Sequence, residues 1–248
     1  MAHPQFSAAL SVVVNALFLG IGFYIYGALT RQIQARSAEV VADPTAETAR
    51  GFGWLDALVA GLLIFWFFLN FEAASAHRIV GMRTSDLVAN ALFSLALPLG
   101  LALFLRARGL SLERLGGFSK LTFGRALSTG AVLMLAAYPL VFLADTLSQR
   151  VLGVSDEKQG IVELFNASDS LGQRVLIIIL AVAIAPMAEE FLFRFFLYGV
   201  IKRYAGRLVA LAANALLFGA VHAHLPSFAP LFVLGGCFTL AFPELFPQ

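Results

Sequence analysis

One stretch carries most of the chemistry this sequence can offer. Ala185-Pro186-Met187-Ala188-Glu189-Glu190-Phe191-Leu192-Phe193-Arg194 sets two adjacent carboxylates and a guanidinium in the middle of an apolar run. On insertion scales each such charge costs about 2.5–3.5 kcal/mol at the centre of a membrane helix, so residues placed this way face a cavity or one another. On a helix, Glu190 and Arg194 are four apart and share a face, which suits an ion pair, whereas Glu189 is rotated by about 100°. Glu189 is then the freer carboxylate. Desolvation and a like-charged neighbour are the conditions that fit a carboxylate for general-base work near neutrality. The plainer alternative is an internal salt bridge that holds neighbouring helices in register, and for Glu190 with Arg194 it weighs as much as a catalytic role. Downstream, Asn214, Phe218, His222 and His224 lie in the next apolar segment. His222 and His224 are two apart and point to nearly opposite sides of a regular helix, so the pair is not expected to chelate one metal. At most one of them joins Glu189; the alternative for each is an interfacial histidine with its polar needs satisfied.

These side chains need elements to position them, and the composition says which kind. Of 248 residues, 60% are hydrophobic and 13% charged, with a mean hydropathy of +0.85; a soluble domain carries about 25% charged residues. A bilayer core about 30 Å thick takes about 20 apolar residues per helix. Such segments run over 6–29, 55–71, 87–105, 126–147, 174–203 and 208–224, with a last piece at 230–242 that is interrupted by Gly235 and Gly236 and is too short to span unaided. The terminal Phe-Pro-Glu-Leu-Phe-Pro-Gln does not read as membrane helix. Pro98 and Pro139 fall inside the third and fourth segments, where kinks are expected. The sequence therefore predicts an all-α, polytopic transmembrane helix bundle of six to seven membrane helices. It forms a single membrane domain over 1–248, with four helices in 1–147 and the charged motif in 148–248. Between helices four and five, 148–172 mixes charges with Ile161, Val162, Leu164 and Phe165 at helical spacing, which fits either an interfacial amphipathic helix or a polar loop.

Charge and cysteine usage narrow the partners. The net charge is +2 and no basic patch is interleaved with aromatics, which argues against nucleic acid. A single cysteine, Cys237, excludes an intramolecular disulfide and a Cys-based metal site. No Lys or Arg precedes the first apolar run, so that segment reads as a retained helix rather than a signal peptide. With the N-terminus outside, the inner loops hold Arg31, Arg36, Arg50, Arg106, Arg108, Arg114, Lys120, Arg125, Lys202, Arg203 and Arg207, against Arg78, Arg83, Arg150, Lys158 and Arg174 outside. That imbalance follows the positive-inside rule. Among further intramembrane charges, only Asp145 stands out.

Glu189-Glu190-x-x-x-Arg194 followed by Phe218-x-x-x-His222, each in a hydrophobic segment and separated by a short basic turn, resembles the first two motifs of the CAAX-protease and bacteriocin-processing family of intramembrane endopeptidases. The likeness extends over roughly Arg150 to Leu234. It implies a multi-pass protein of the bacterial plasma membrane that hydrolyses a peptide or protein substrate. Glu189 would activate water, Glu190 and Arg194 would be the supporting pair, and His222 would position the water. A divalent metal such as zinc is an open question that the resemblance raises; if one is present, Glu189 and His222 would hold it. The family also implies a later helix pair with a His-x-x-x-Asn-like motif, yet no histidine follows His224. The region 148–248 therefore reads as incomplete at its C-terminus, through truncation or a shifted frame, with His224 or Asn214 as conceivable substitutes. Two alternatives stay open: a catalytically impaired membrane scaffold or bacteriocin-immunity protein, and, ranked last, a transporter using the same charges.

Overall fold

The computed structural model describes residues 4–41, 51–76, 84–112, 123–152, 160–168 and 170–245, and every regular element among them is helical. Among the described residues eight helices are delimited: α1 (Pro4–Val41), α2 (Trp54–Ala76), α3 (Thr84–Ala107), α4 (Phe123–Leu152), α5 (Gly160–Ala167), α6 (Leu171–Ala205), α7 (Arg207–Ala220) and α8 (Leu225–Leu245). Four stretches are long and apolar enough to cross a membrane: Val12–Gln32, Thr84–Ala107, Leu127–Val151 and Leu171–Ala205. Shorter apolar helices occupy Trp54–Leu69, Arg207–Ala220 and Leu225–Ala241. The four long helices point to a multi-pass integral membrane protein. The outward surface of α2, α3 and α4 agrees, since Leu58, Leu62, Phe65, Phe68, Leu99, Leu103, Leu127, Leu135 and Phe142 are all exposed, an arrangement suited to lipid rather than water.

Two expectations from the sequence need correction. The last segment, expected over 230–242 and interrupted by Gly235 and Gly236, is instead one continuous helix from Leu225 to Leu245, although its apolar part ends at Ala241. Conversely, the segment expected to run to His224 ends its helix at Ala220, and Ala223 takes a left-handed backbone (φ 48°) in the turn before α8. The orientation count rests partly on Arg50, Arg78, Arg83, Arg114, Lys120 and Lys158, and the linker partly on 153–159; these, like the terminal 246–248, lie outside the described residues.

The bundle has two packed faces. Leu63, Leu101, Leu105, Phe193, Phe196, Leu197 and Phe218 form one core where α2, α3, α6 and α7 meet. Tyr26, Leu133, Ala136, Ala137, Cys237 and Ala241 form the other, between α1, α4 and α8. There the Tyr26 hydroxyl donates to the Leu133 carbonyl at 2.9 Å. The two helices approach closely at Gly22, where an added Cβ would sit 2.6 Å from the Ala136 carbonyl oxygen. The segment before α6 does contain a short amphipathic helix, α5, whose Leu164 is buried against Leu87, Ala91, Ile177 and Leu180. Ser170 caps α6, its hydroxyl accepting the Gln173 N–H at 3.1 Å.

A buried ion pair escaped the sequence reading. Asp56 in the first turn of α2 is fully buried and pairs with Arg108 beyond the end of α3. The same carboxylate accepts the Gly53 N–H at 2.6 Å. Beside it, Phe52 wedges edge-on against Phe195 and Phe196 and fills the space over Gly199 of α6. Asp145, the further intramembrane charge, is partly buried and accepts a hydrogen bond from Gln149 one turn on.

Candidate active site

Hairpin arithmetic explains why the acidic and imidazole groups meet. Helices α6 and α7 join through the single residue Gly206, whose φ of 79° and ψ of 171° fall in a region open essentially to glycine alone. Glu189 lies 16 positions before Ala205, and His222 lies 15 positions after Arg207. At about 1.5 Å per residue both stand roughly 22–24 Å from the turn, so they face each other at one level. Helix α7 has 14 residues, about 21 Å of rise, and stops short of a 30 Å bilayer core. Its C-terminal turn and His222 are thereby held at the depth of Glu189.

The local backbone of α6 is not regular there. The Ala185 N–H donates to the Leu180 carbonyl and the Tyr198 N–H to the Phe193 carbonyl, each five residues back. The first wide turn precedes Pro186, which has no N–H and whose ring would collide with a carbonyl four residues earlier in a tight helix. The second spans Glu190–Leu197 and so contains both the second carboxylate and the arginine. Wide turns of this kind re-aim the faces that follow them and recur at functional sites.

The side chains divide into two linked pairs. His222 Nε2 lies 3.9 Å from Glu189 Oε1, both groups being partly buried. On its other edge the imidazole Nδ1 is 2.7 Å from the Phe218 carbonyl oxygen. A carbonyl can only accept, so Nδ1 carries the hydrogen and neutral His222 presents the Nε2 lone pair to Glu189. Arg194 Nε lies 3.6 Å from Glu190 Oε2, an ion pair beyond hydrogen-bond length. Arg194 is 1% exposed, and its Nε and Nη2 have no hydrogen-bond partner. Aromatic faces surround it instead, with ring centroids of Phe218, Phe238 and Phe193 at 4.2, 5.4 and 6.0 Å from Cζ. A desolvated cation–π contact contributes about 2 kcal/mol, which offsets a good part of the insertion cost of the charge.

The other polar residues of this region have separate partners. Asn214 is fully buried and its amide donates to Thr239 Oγ1 at 2.7 Å, while Thr239 donates to the Gly235 carbonyl at 2.7 Å. It bolts α7 to α8 rather than reaching the carboxylates by any described contact. His224 Nδ1 is 2.7 Å from Ser227 Oγ, so the two histidines leave α7 with different neighbours. Among the described residues no three His, Cys, Asp or Glu side chains converge as a metal site. Glu189 and His222 are thus a two-donor set, short of the three protein ligands of a catalytic zinc, and no step below uses a metal.

No match is found among curated proteins or among solved structures. A family model does match, beginning at the start of α6 and covering all but the last residue of α8, later at both ends than the likeness traced in the sequence. Residues 171–244, under a third of the chain, match the model of the type II CAAX prenyl endopeptidase Rce1-like family, and this part of the chain is similar to a domain of that family.

Proposed function

We propose that the protein is an intramembrane peptide hydrolase in which Glu189 activates a water that His222 positions. The observation that carries this reading is the 3.9 Å separation of Glu189 Oε1 and His222 Nε2, two atoms that both accept. Neither can bond the other without a proton between them, and a water satisfies both. An oxygen about 2.8 Å from each sees them at roughly 88°, tighter than the angle between the two O–H bonds of water but within the range of bent hydrogen bonds. One hydrogen is donated to each acceptor, and a lone pair is left for a carbonyl carbon.

In the reaction the water oxygen bonds to the scissile carbonyl carbon while Glu189 takes its proton. The tetrahedral intermediate then collapses, the C–N bond breaks, and Glu189 returns the proton to the leaving amine. The Arg194–Glu190 pair holds the second carboxylate away from this cycle. With the N-terminus outside, as the loop charges favour, Lys202 and Arg203 end α6 at the cytoplasmic face. The family description makes a prenylated CAAX-type peptide the first substrate to try.

The test is cleavage of a fluorogenic prenylated peptide by the purified chain in nanodiscs, beside Glu189→Gln and His222→Ala. Wild type is expected to cleave, and each variant to fall by about 10²–10⁴-fold. Equal turnover by all three removes the proposed roles. Correctly folded protein that cleaves no peptide in a broad panel favours a scaffold or immunity role instead.

A further inference from the structure

The geometry points to Phe218 as a positioning residue that couples the two halves of the site, with Gly235 of α8 setting where its ring stands. A phenyl group has no acid–base chemistry, yet this one touches every element of the constellation except the two carboxylates. Its ring lies 4.2 Å from the Arg194 guanidinium carbon and packs edge-on against Phe193 at 5.6 Å. The same ring meets the His222 imidazole at 5.0 Å, and the Phe218 carbonyl takes the His222 Nδ1 hydrogen. One residue therefore fixes the orientation of the imidazole and the place of the cation that restrains Glu190.

The ring has little slack on its far side. A Cβ added at Gly235 would stand 3.0 Å from Phe218 Cδ1, 3.1 Å from its Cβ and 3.3 Å from the Ala215 Cα. The α8 backbone thus presses directly on the ring, and Thr239, one turn on, ties the same stretch of α8 to Asn214 of α7. With two of its nitrogens unpartnered, Arg194 has the Phe218 face as its nearest aromatic neighbour. The contact is electrostatic, between a cation and the negative face of a ring. Withdrawing electron density from the ring at constant shape should release the guanidinium, and Glu190 with it, without opening a cavity.

The catalytic part of the test rests on the peptidase reading; the spectroscopic part does not. Phe218 is replaced by mono-, di- and trifluorophenylalanine in the full chain, in nanodiscs, with Phe218→Leu alongside. Two signals are read: the Arg194 Nε–H resonance with its exchange rate, and the His222 ring nitrogens. Peptide cleavage is followed as kcat and KM on folded protein. Across the fluorine series the Arg194 resonance is expected to move stepwise and exchange faster, and kcat to fall about tenfold in total at unchanged KM; Leu loses both. Gly235→Ala, which touches neither residue, is expected to shift the Arg194 and His222 signals together. An Arg194 resonance and a kcat indifferent to fluorination overturn the proposal. If no peptide is cleaved by wild type, the resonances still decide it, which separates its failure from that of the peptidase reading.

Discussion

Gly206 makes a sharp test of the hairpin that brings Glu189 to His222. Its backbone, at φ 79° and ψ 171°, lies where a side chain is strained by about 1–3 kcal/mol. No atom lies within 4 Å of where a Cβ would go, so Gly206→Ala adds strain and nothing else. Gly61, inside α2 and equally uncrowded, is the counterpart: there Ala removes the cost of a flexible helix residue and is worth about 0.5–1 kcal/mol of stabilisation. The same chemical change should therefore act with opposite signs, the two variants differing by roughly 1.5–4 kcal/mol. Unfolding in mixed micelles with increasing denaturing detergent, followed by the fluorescence of Trp54 and Trp66, measures both on one scale. Because the turn also fixes the register of α6 against α7, Gly206→Ala should lose peptide cleavage beyond its loss of folded protein. If Gly206→Ala is as stable as Gly61→Ala, the reasoning from backbone geometry to site geometry is refuted.

Two further outcomes follow from the cluster at the start of α2. Asp56→Asn keeps the shape but leaves Arg108 without its counter-charge. Breaking a buried pair costs about 3–5 kcal/mol, and the low end is expected because Arg108 keeps 26% of its side chain exposed; a loss under about 1 kcal/mol in the same unfolding measurement contradicts it. Gly199→Ala drives a methyl into the Phe52 ring, with Cζ at 3.2 Å and Cδ2 at 3.3 Å. It should destabilise by about 1–3 kcal/mol, and Phe52→Ala in the same chain should recover part of that loss, whereas strictly additive effects in a double-mutant cycle would show that the two do not touch.

What the sequence discloses and what it hides divide along the range of the interactions. Apolar length reveals the helices, and the four-residue spacing of Glu190 and Arg194 reveals their pairing, because both are local. The approach of Glu189 to His222 is half legible: equal distances from a one-residue turn place them at one level, but the wide turns of α6 that aim them depend on Pro186 in its helical setting. Asp56 was passed over because its partner, Arg108, lies far along the chain and looks like an ordinary loop charge. Gly235 and Gly236 read as helix breakers, whereas Gly235 is a packing residue under Phe218. The end of α7 was misjudged for a related reason, since the left-handed Ala223 carries no compositional signal.

The shortness of α7 also bears on how the protein is made. A segment of 14 residues is too brief to be accepted by the insertion machinery as a span of its own, so it must enter the bilayer as a hairpin with α8, whose Gly235 and Thr239 lock against it. During synthesis Glu190 and Arg194 can pair within α6, but Glu189 waits without its imidazole neighbour until the chain as far as α8 has left the ribosome. Assembly of the acid–imidazole pair is a late event, and a stalled or clipped nascent chain would leave a carboxylate-bearing helix in the membrane without its histidine.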